Sequence, residues 1–232
     1  MKISGKKETW ILPDGVQEVL PPLGEEIEVL RRKILDTMRS WGYQLVVPPS
    51  LEYLDSLVLG LGPDLTLQTF KLVDQITGKT LGVPADITPQ IARIDFKSNP
   101  TASIRRYCYA GQVLHTLPDS FAGSRNPLQI GAELFGHQGP ESDAEVIALL
   151  LDVLDMAGVK EPNLELGDMG LFRKICELAD FDEVEEELVL HSLLKKNFDE
   201  IESPAASSPA ALILLPVDKR SIAIFISEFD LF

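Results

Sequence analysis

The sequence has little of what metal and disulfide sites need. Its 232 residues include two cysteines, Cys108 and Cys176, and three histidines. The cysteines are far apart and lack metal-ligand spacing, which argues against both a disulfide framework and a thiolate metal site. His191 has no Cys or Asp at ligand spacing. We therefore predict neither a metal nor a cofactor.

Long hydrophobic runs are also absent. The densest apolar stretch, VIALLLDVLDMAGV, contains two aspartates and is too short to span a bilayer. The first residues, MKISGKKETWILPDG, lack the apolar core of a secretion signal. We therefore expect a reduced, cytoplasmic protein with no membrane association.

Basic residues are scarce. The chain has 21 Lys and Arg against 36 Asp and Glu, a net charge of −15 at pH 7. Much of the acidic excess lies between residues 139 and 202. Such a surface repels a phosphate backbone, so we expect no tRNA or other nucleic acid as a partner. The simplest interpretation of the excess is a solvated acidic face.

Hydrophobic periodicity predicts an α+β fold. Apolar residues at helical spacing predict an amphipathic helix over Leu23–Trp41 that ends at Gly42. YQLVVPP then predicts a strand, which two prolines terminate. TFKLVDQITGKTLGVP predicts two strands with a reversal at Thr77-Gly78.

Two long β-like segments, SIRRYCYAGQVLHT and NPLQIGAELFGH, predict an antiparallel hairpin. Ser142 and Glu145 in SDAE form a capping-box pattern that predicts the start of an apolar helix ending near Gly158. NLELGD predicts a strand, followed by helices over about 171–178 and 185–197. We predict a core over residues 1–202, then a linker and divergent segment over 203–232.

Four polar residues are candidates for a binding site. Asp86 and Thr88, in ADITPQ, stand where a strand passes into a helix. These two residues either cap the helix or face a ligand. Gln129 and Glu133 are four residues apart, on one face of a strand. They either point into a pocket or form the polar face of a half-exposed sheet with Ile130, Ala132 and Leu134 buried behind.

The order WGYQLVVPP, ADITPQIAR, RRYCYAGQVLHT and PLQIGAELFGH resembles the core of class II aminoacyl-tRNA synthetases of the histidyl type. The residues of the motifs DITPQ, GQVLHT and RNPLQIGAELFGH resemble more closely those of a related family, the regulatory subunits of ATP phosphoribosyltransferase. The resemblance runs from about Trp10 to Phe172, and more weakly to about Pro216. It implies a class II synthetase-like antiparallel sheet flanked by helices.

The resemblance also implies roles for individual residues. Asp86, Thr88, Gln129 and Glu133 match positions that bind histidine in the synthetases. His115 stands where the synthetases place an arginine against the α-phosphate of ATP. A neutral histidine lacks the fixed bidentate fork of arginine. The following loop offers one basic residue, Arg125, so we expect ATP activation to be weak or absent.

The resemblance further implies a non-catalytic regulatory subunit in histidine biosynthesis. Its expected partners are L-histidine and the short catalytic chain of ATP phosphoribosyltransferase, which it would activate and regulate by feedback. Self-association is expected through Leu23–Pro49. The alternatives are a minimal histidyl-tRNA synthetase or related adenylating ligase, and a truncated, non-functional product.

The sequence also departs from the family pattern. Pro84 stands where the family usually has an arginine, which removes a possible donor from the pocket. The third class II motif and the histidine-specific signature are missing after the predicted linker. We therefore expect the C-terminal part of the chain to be shortened. A core sheet without its last strands would expose an edge.

Overall fold

The computed structural model describes residues 11–58, 63–98, 103–117, 124–194 and 222–226. The chain divides into two compact units, Met1–Lys160 and Glu161–Phe232. The predicted linker and the predicted boundary after residue 202 lie outside the described residues, and both stay predictions. Within the described residues, no helix is long and apolar enough to cross a membrane.

The first unit contains helices and short strands in alternation, as expected for an α+β fold. Its helices are α1 (Leu23–Ser40), α2 (Leu54–Leu57), α3 (Pro63–Gln68), α4 (Thr88–Ser98) and α5 (Pro140–Met156). Its strands are β1 (Gln44–Leu45), β2 (Glu52–Tyr53), β3 (Phe70–Val73), β4 (Thr80–Val83), β5 (Arg105–Gln112) and β6 (Leu128–Phe135).

The central sheet of this unit has the strand order β1-β5-β6. The long hairpin is confirmed: β5 and β6 pair antiparallel along eight residues each, with Tyr109 opposite Gly131 and Gly111 opposite Gln129. The short strand β1 pairs parallel to β5, so the sheet is mixed. A second sheet, β2-β4-β3, is antiparallel.

Alternate residues of β5 point to opposite faces of the central sheet, and helices cover both faces. On one face Cys108 packs in a buried cluster with residues of α1 and with Leu149 of α5. On the other face Tyr109 packs with Ile87, Ile91 of α4 and Val113. The hairpin therefore forms the centre of the core, and its second face meets the start of α4.

The predicted chain reversals occur at glycines with a left-handed backbone. Helix α1 ends at Ser40, close to the predicted end, and Gly42 follows with φ +89°. Gly78 has φ +70° in the turn between β3 and β4, where the reversal is predicted. Glycine adopts this conformation without the steric cost that a Cβ imposes.

The capping-box prediction for α5 is wrong. The helix begins at Pro140, and its N-cap residue, Gly139, supplies no side-chain cap. Ser142 hydrogen-bonds His137 instead. Glu145 accepts two bonds from Arg106, at 2.6 and 2.7 Å, and one from the Tyr43 hydroxyl at 3.1 Å. A bidentate guanidinium on the adjacent strand is a stronger partner than a backbone N–H, and it lowers the pKa of Glu145.

The second unit contains β7 (Leu164–Asp168), α6 (Met169–Leu178), α7 (Glu183–Leu194) and β8 (Ile222–Ile226). The predicted strand and both predicted helices are present, although the predicted helix end at 197 lies outside the described residues. Phe172, Cys176 and Val189 form a buried cluster between the two helices. β8 pairs parallel to β7.

Leu149 tests the packing of α5 on the hairpin. The side chain is 2% exposed in the cluster around Cys108, whereas Leu151, two residues along, is 37% exposed. We expect Leu149→Ala to lower the free energy of unfolding by about 2–5 kcal/mol because it leaves a cavity. The matched Leu151→Ala should cost about 1 kcal/mol or less. Urea denaturation measures both, and equal losses would contradict this packing.

Candidate functional site

Asp86 and Thr88 lie at the junction of β4 and α4. Ala85 and Ile87 are buried on either side of Asp86, which turns its carboxylate away from the apolar core. Asp86 Oδ1 accepts the Thr88 N–H at 2.9 Å, at the first residue of α4. The Asp86 carboxylate thus supplies an acceptor for the N–H of the first residue of α4. Asp86 can still accept hydrogen bonds from a ligand, because a carboxylate has further acceptor positions.

Gln129 joins this junction to β6. Its Nε2 donates to Asp86 Oδ1 at 2.7 Å, and its Oε1 accepts the Ile87 N–H at 2.9 Å. One side-chain amide thus matches a carboxylate and a backbone donor that are 43 and 42 residues away in the chain. The structure therefore brings Gln129 and Asp86 into direct contact, which local sequence spacing does not show.

Thr88 and Glu133 meet through a residue that the sequence analysis did not single out. The Tyr109 hydroxyl lies 3.0 Å from Thr88 Oγ1 and 3.4 Å from Glu133 Oε1. Tyr109 is 3% exposed and faces away from Cys108 on β5. The sequence signal that could have identified Tyr109 is strand alternation, which places it on the opposite face of the strand from Cys108. Its position opposite Gly131 is known only from the structure.

Burial raises the pKa of Glu133 to about 7. Hydrogen bonding from Thr88 and Tyr109 acts against this by favouring the charged form, while the nearby carboxylate of Asp86 raises the pKa further. Burial likewise raises the pKa of Tyr109, which keeps its hydroxyl protonated as a donor. The site therefore contains two carboxylates and no compensating cation among the side chains that contact Glu133.

A cleft of about 350 Å³ opens beside these residues. Asp86, His115, Gln129 and Gln68 supply its polar wall, and Leu65, Ala85, Val113, Pro127 and Leu128 its apolar wall. Thr88 and Glu133 are not among the described residues that line it. Neither lysine nor arginine appears in that lining. A ligand here meets oxygen acceptors on one side and hydrocarbon on the other, which favours an ammonium or another donor group.

His115 turns one ring nitrogen toward the junction. Its Nε2 lies 2.9 Å from the Ala85 carbonyl oxygen. Because a carbonyl only accepts, Nε2 carries the hydrogen, and in the neutral ring Nδ1 is then an acceptor. Nδ1 is buried and no described residue hydrogen-bonds to it. This arrangement differs from an arginine directed at a phosphate.

Arg125 is engaged with the backbone. Its Nε donates to the His115 carbonyl and its Nη1 to the Asp14 carbonyl, both at 3.0 Å. Its guanidinium also lies over the ring of Phe70, 5.1 Å from the centroid. Arg125 therefore ties the residues before β6 to residues 14 and 115. The backbone carbonyl of Pro84 accepts the Leu114 N–H at 3.2 Å, next to the contacts of His115.

The histidyl-tRNA synthetase family model matches residues 15–217. The chain belongs to this family. The relative from Nitrosococcus oceani is 51% identical over 84% of this chain and 49% of its own length, and the one from Alkalilimnicola ehrlichii is 49% identical over 88% and 52%. Both are named ATP phosphoribosyltransferase regulatory subunit.

A solved structure from Bacillus halodurans has a TM-score of 0.77 with this chain at 26% identity, covering 89% of this chain and 54% of its own. It is described as an ATP phosphoribosyltransferase regulatory subunit/histidyl-tRNA synthetase. The predicted class II synthetase-like fold is thereby confirmed. The chain spans about half the length of the curated relatives it matches.

Glu133→Gln tests the buried carboxylate. Folding raises the pKa of Glu133 from its ordinary 4.5 to about 7, so the folded state binds this proton more tightly than the unfolded state. Stability from this group is complete below pH 4.5 and falls as the pH rises to 7. We expect Glu133→Gln to be more stable than the wild type by about 3 kcal/mol at pH 8, and by about 1 kcal/mol or less at pH 5.

The measurement is urea denaturation of both proteins at pH 5 and pH 8. The exposed Glu187 on α7 provides the matched control, since Glu187→Gln removes the same charge at a solvated position. Its effect should be the same at both pH values. A Glu133→Gln effect that does not grow with pH would show that this carboxyl group titrates normally.

Proposed function

We propose that this chain is the histidine-binding core of a regulatory subunit of ATP phosphoribosyltransferase. It binds L-histidine, activates the short catalytic chain in the first step of histidine biosynthesis, and transmits feedback inhibition. The observation that carries the proposal is the contact of Gln129 with Asp86 beside a cleft whose described lining has no lysine or arginine. The names of its relatives support the regulatory role.

The chemistry of the cleft suits free histidine. The α-ammonium group would lie against Asp86, because a charge-assisted hydrogen bond is the strongest available to either partner. Gln129 holds that carboxylate in place. Thr88 and Glu133 are not among the described residues that line the cleft. We keep them in the proposed site because Glu133 lies on the same face of β6 as Gln129, where its ionised carboxylate, supported by Thr88 and Tyr109, would accept an N–H of a ligand that reaches beyond Gln129. The apolar wall would contact the uncharged part of the ligand.

Adenylation chemistry has little support in these residues. Transfer to the α-phosphate requires positive groups aimed at the developing charge. His115 bonds the Ala85 carbonyl, and Arg125 donates to two other backbone carbonyls. The net charge of −15 also disfavours tRNA. We therefore propose a protein that does not itself catalyse a reaction and does not bind tRNA.

Regulation requires a second surface that is coupled to the histidine site, and such coupling is reciprocal. We place self-association at Leu23–Pro49, within a larger assembly that includes the catalytic chain. Apolar side chains exposed along this segment support the assignment: Leu23 (52%), Val29 (43%), Leu45 (47%) and Val47 (81%). The proposal includes the cytoplasmic location that the sequence analysis predicts.

The activity test measures phosphoribosyl-ATP formation by the short catalytic chain, with and without this protein and with added histidine. We expect the protein to raise the rate and histidine to reverse the increase. A folded protein that binds histidine without raising the rate would overturn the regulatory role. Histidine-dependent exchange of pyrophosphate into ATP would instead establish the synthetase alternative.

Gln129→Ala and Glu133→Ala test the binding site directly. Gln129→Ala removes one of the two hydrogen bonds to Asp86 and leaves the Ile87 N–H without its partner. A lost bond to a partly buried charged group costs about 1–3 kcal/mol. We therefore expect histidine affinity to fall about tenfold or more in calorimetry. Gln75→Ala, at an exposed glutamine in the β3–β4 turn, is the matched control. Unchanged affinity in both site variants would place histidine elsewhere.

A further inference from the structure

Tyr109 connects two parts of the site that are distant in sequence. Its hydroxyl lies within hydrogen-bonding distance of Thr88, at the start of α4, and of Glu133, on β6. A phenol has one proton, which Tyr109 can donate to the Glu133 carboxylate. The single proton of the Thr88 hydroxyl then goes either to the Tyr109 oxygen or to Glu133, on which Thr88 also acts. The three groups therefore form one hydrogen-bonded array that joins α4, β5 and β6.

Gly131 creates the space for this array. It lies directly opposite Tyr109 in the antiparallel register. A Cβ at this position would stand 2.3 Å from the Tyr109 hydroxyl oxygen and 2.4 Å from the adjacent ring carbon. Side chains of opposed residues normally lie side by side on a sheet, whereas here the tyrosine ring lies across the glycine. Any side chain at residue 131 would displace the hydroxyl.

Gly111, on the partner strand β5, shows the contrast. A Cβ at Gly111 would meet only the terminal methyl of Ile87, at 3.1 Å. That methyl is the flexible end of an aliphatic side chain. The close approach at Gly131 involves a tyrosine that is 3% exposed and packed among Ile87, Ile91 and Val113. The ring therefore has little room to move aside.

We propose that Tyr109, seated against Gly131, is a positioning residue: its hydroxyl holds Glu133 and Thr88 in the arrangement that receives the ligand. The role rests on the proposed function, since Glu133 and Thr88 belong to the proposed histidine site. Tyr109 acts through these two residues and does not line the cleft. Gly131 acts in turn through Tyr109.

The direct test follows the carboxyl carbon of Glu133 by NMR as the pH is changed, with the signal assigned by its loss in Glu133→Gln. Asp86 and Tyr109 are the titratable groups that act on Glu133, and Glu133 itself acts on Tyr43 across the sheet. Tyr109→Phe removes a donor that favours the carboxylate, so Glu133 should titrate at higher pH. Tyr53→Phe, at a 42% exposed tyrosine on β2, should leave the titration unchanged.

Gly131→Ala should have the same effect as Tyr109→Phe because it displaces the hydroxyl without deleting it. In the double variant the two effects should not add, since both act on one hydrogen bond. Denaturation curves at one pH identify variants that fail to fold. Tyr109→Phe keeps the ring and its packing. If Gly131→Ala does not fold, the Glu133 titration in Tyr109→Phe alone tests whether the Tyr109 hydroxyl acts on Glu133.

Histidine titration then separates this inference from the proposed function. We expect Tyr109→Phe to bind histidine about three- to tenfold more weakly than the wild type, consistent with one lost hydrogen bond. A wild type that binds no histidine would overturn the proposed function, while the Glu133 titration would still decide whether Tyr109 positions it. An unchanged Glu133 titration in Tyr109→Phe would overturn the inference.

Discussion

The site depends on the double hydrogen bond of the Gln129 amide. One end of the amide accepts the Ile87 N–H and the other end donates to Asp86, so a side chain of β6 completes the junction between β4 and α4. The same carboxylate caps the first residue of α4. A partly buried carboxylate is stable only when its oxygens are paired. These hydrogen bonds together fix the start of α4, strand β6 and the Asp86 carboxylate relative to one another.

Negative charge dominates what this arrangement offers to a ligand. Asp86 and Glu133 lie close enough for the first to raise the pKa of the second. Arg125, which donates to the carbonyl of the cleft residue His115, is engaged with backbone carbonyls, and His115 itself donates to the Ala85 carbonyl. A site with these properties attracts a cation and repels a phosphate. The fold does not decide between the proposed regulatory role and adenylation, because the names of its relatives include both kinds of protein. The polarity of the cleft is the feature that favours the proposed role.

Much of the fold was predictable because its main elements have strong patterns. The helical spacing of Leu23–Trp41 reflects burial of one face of α1, and the two long β-like segments form the hairpin at the centre of the core. Burial is the dominant stabilising term in both cases. The capping box failed for a different reason. Ser142 and Glu145 have the correct spacing, but Arg106 approaches Glu145 from another strand and forms a bidentate pair. No local pattern reports a partner that is 39 residues away.

The sequence by itself determined the α+β class and the hairpin, and it put forward Asp86, Thr88, Gln129 and Glu133 as candidate site residues. Periodicity and motif order suffice for these because each is a property of neighbouring residues. Only the tertiary structure decided that Gln129 contacts Asp86, that Tyr109 joins Thr88 to Glu133, and that burial raises the pKa of Glu133. These features depend on strand register and on the packing of α4 against the sheet, which bring distant residues within hydrogen-bonding distance and remove them from water.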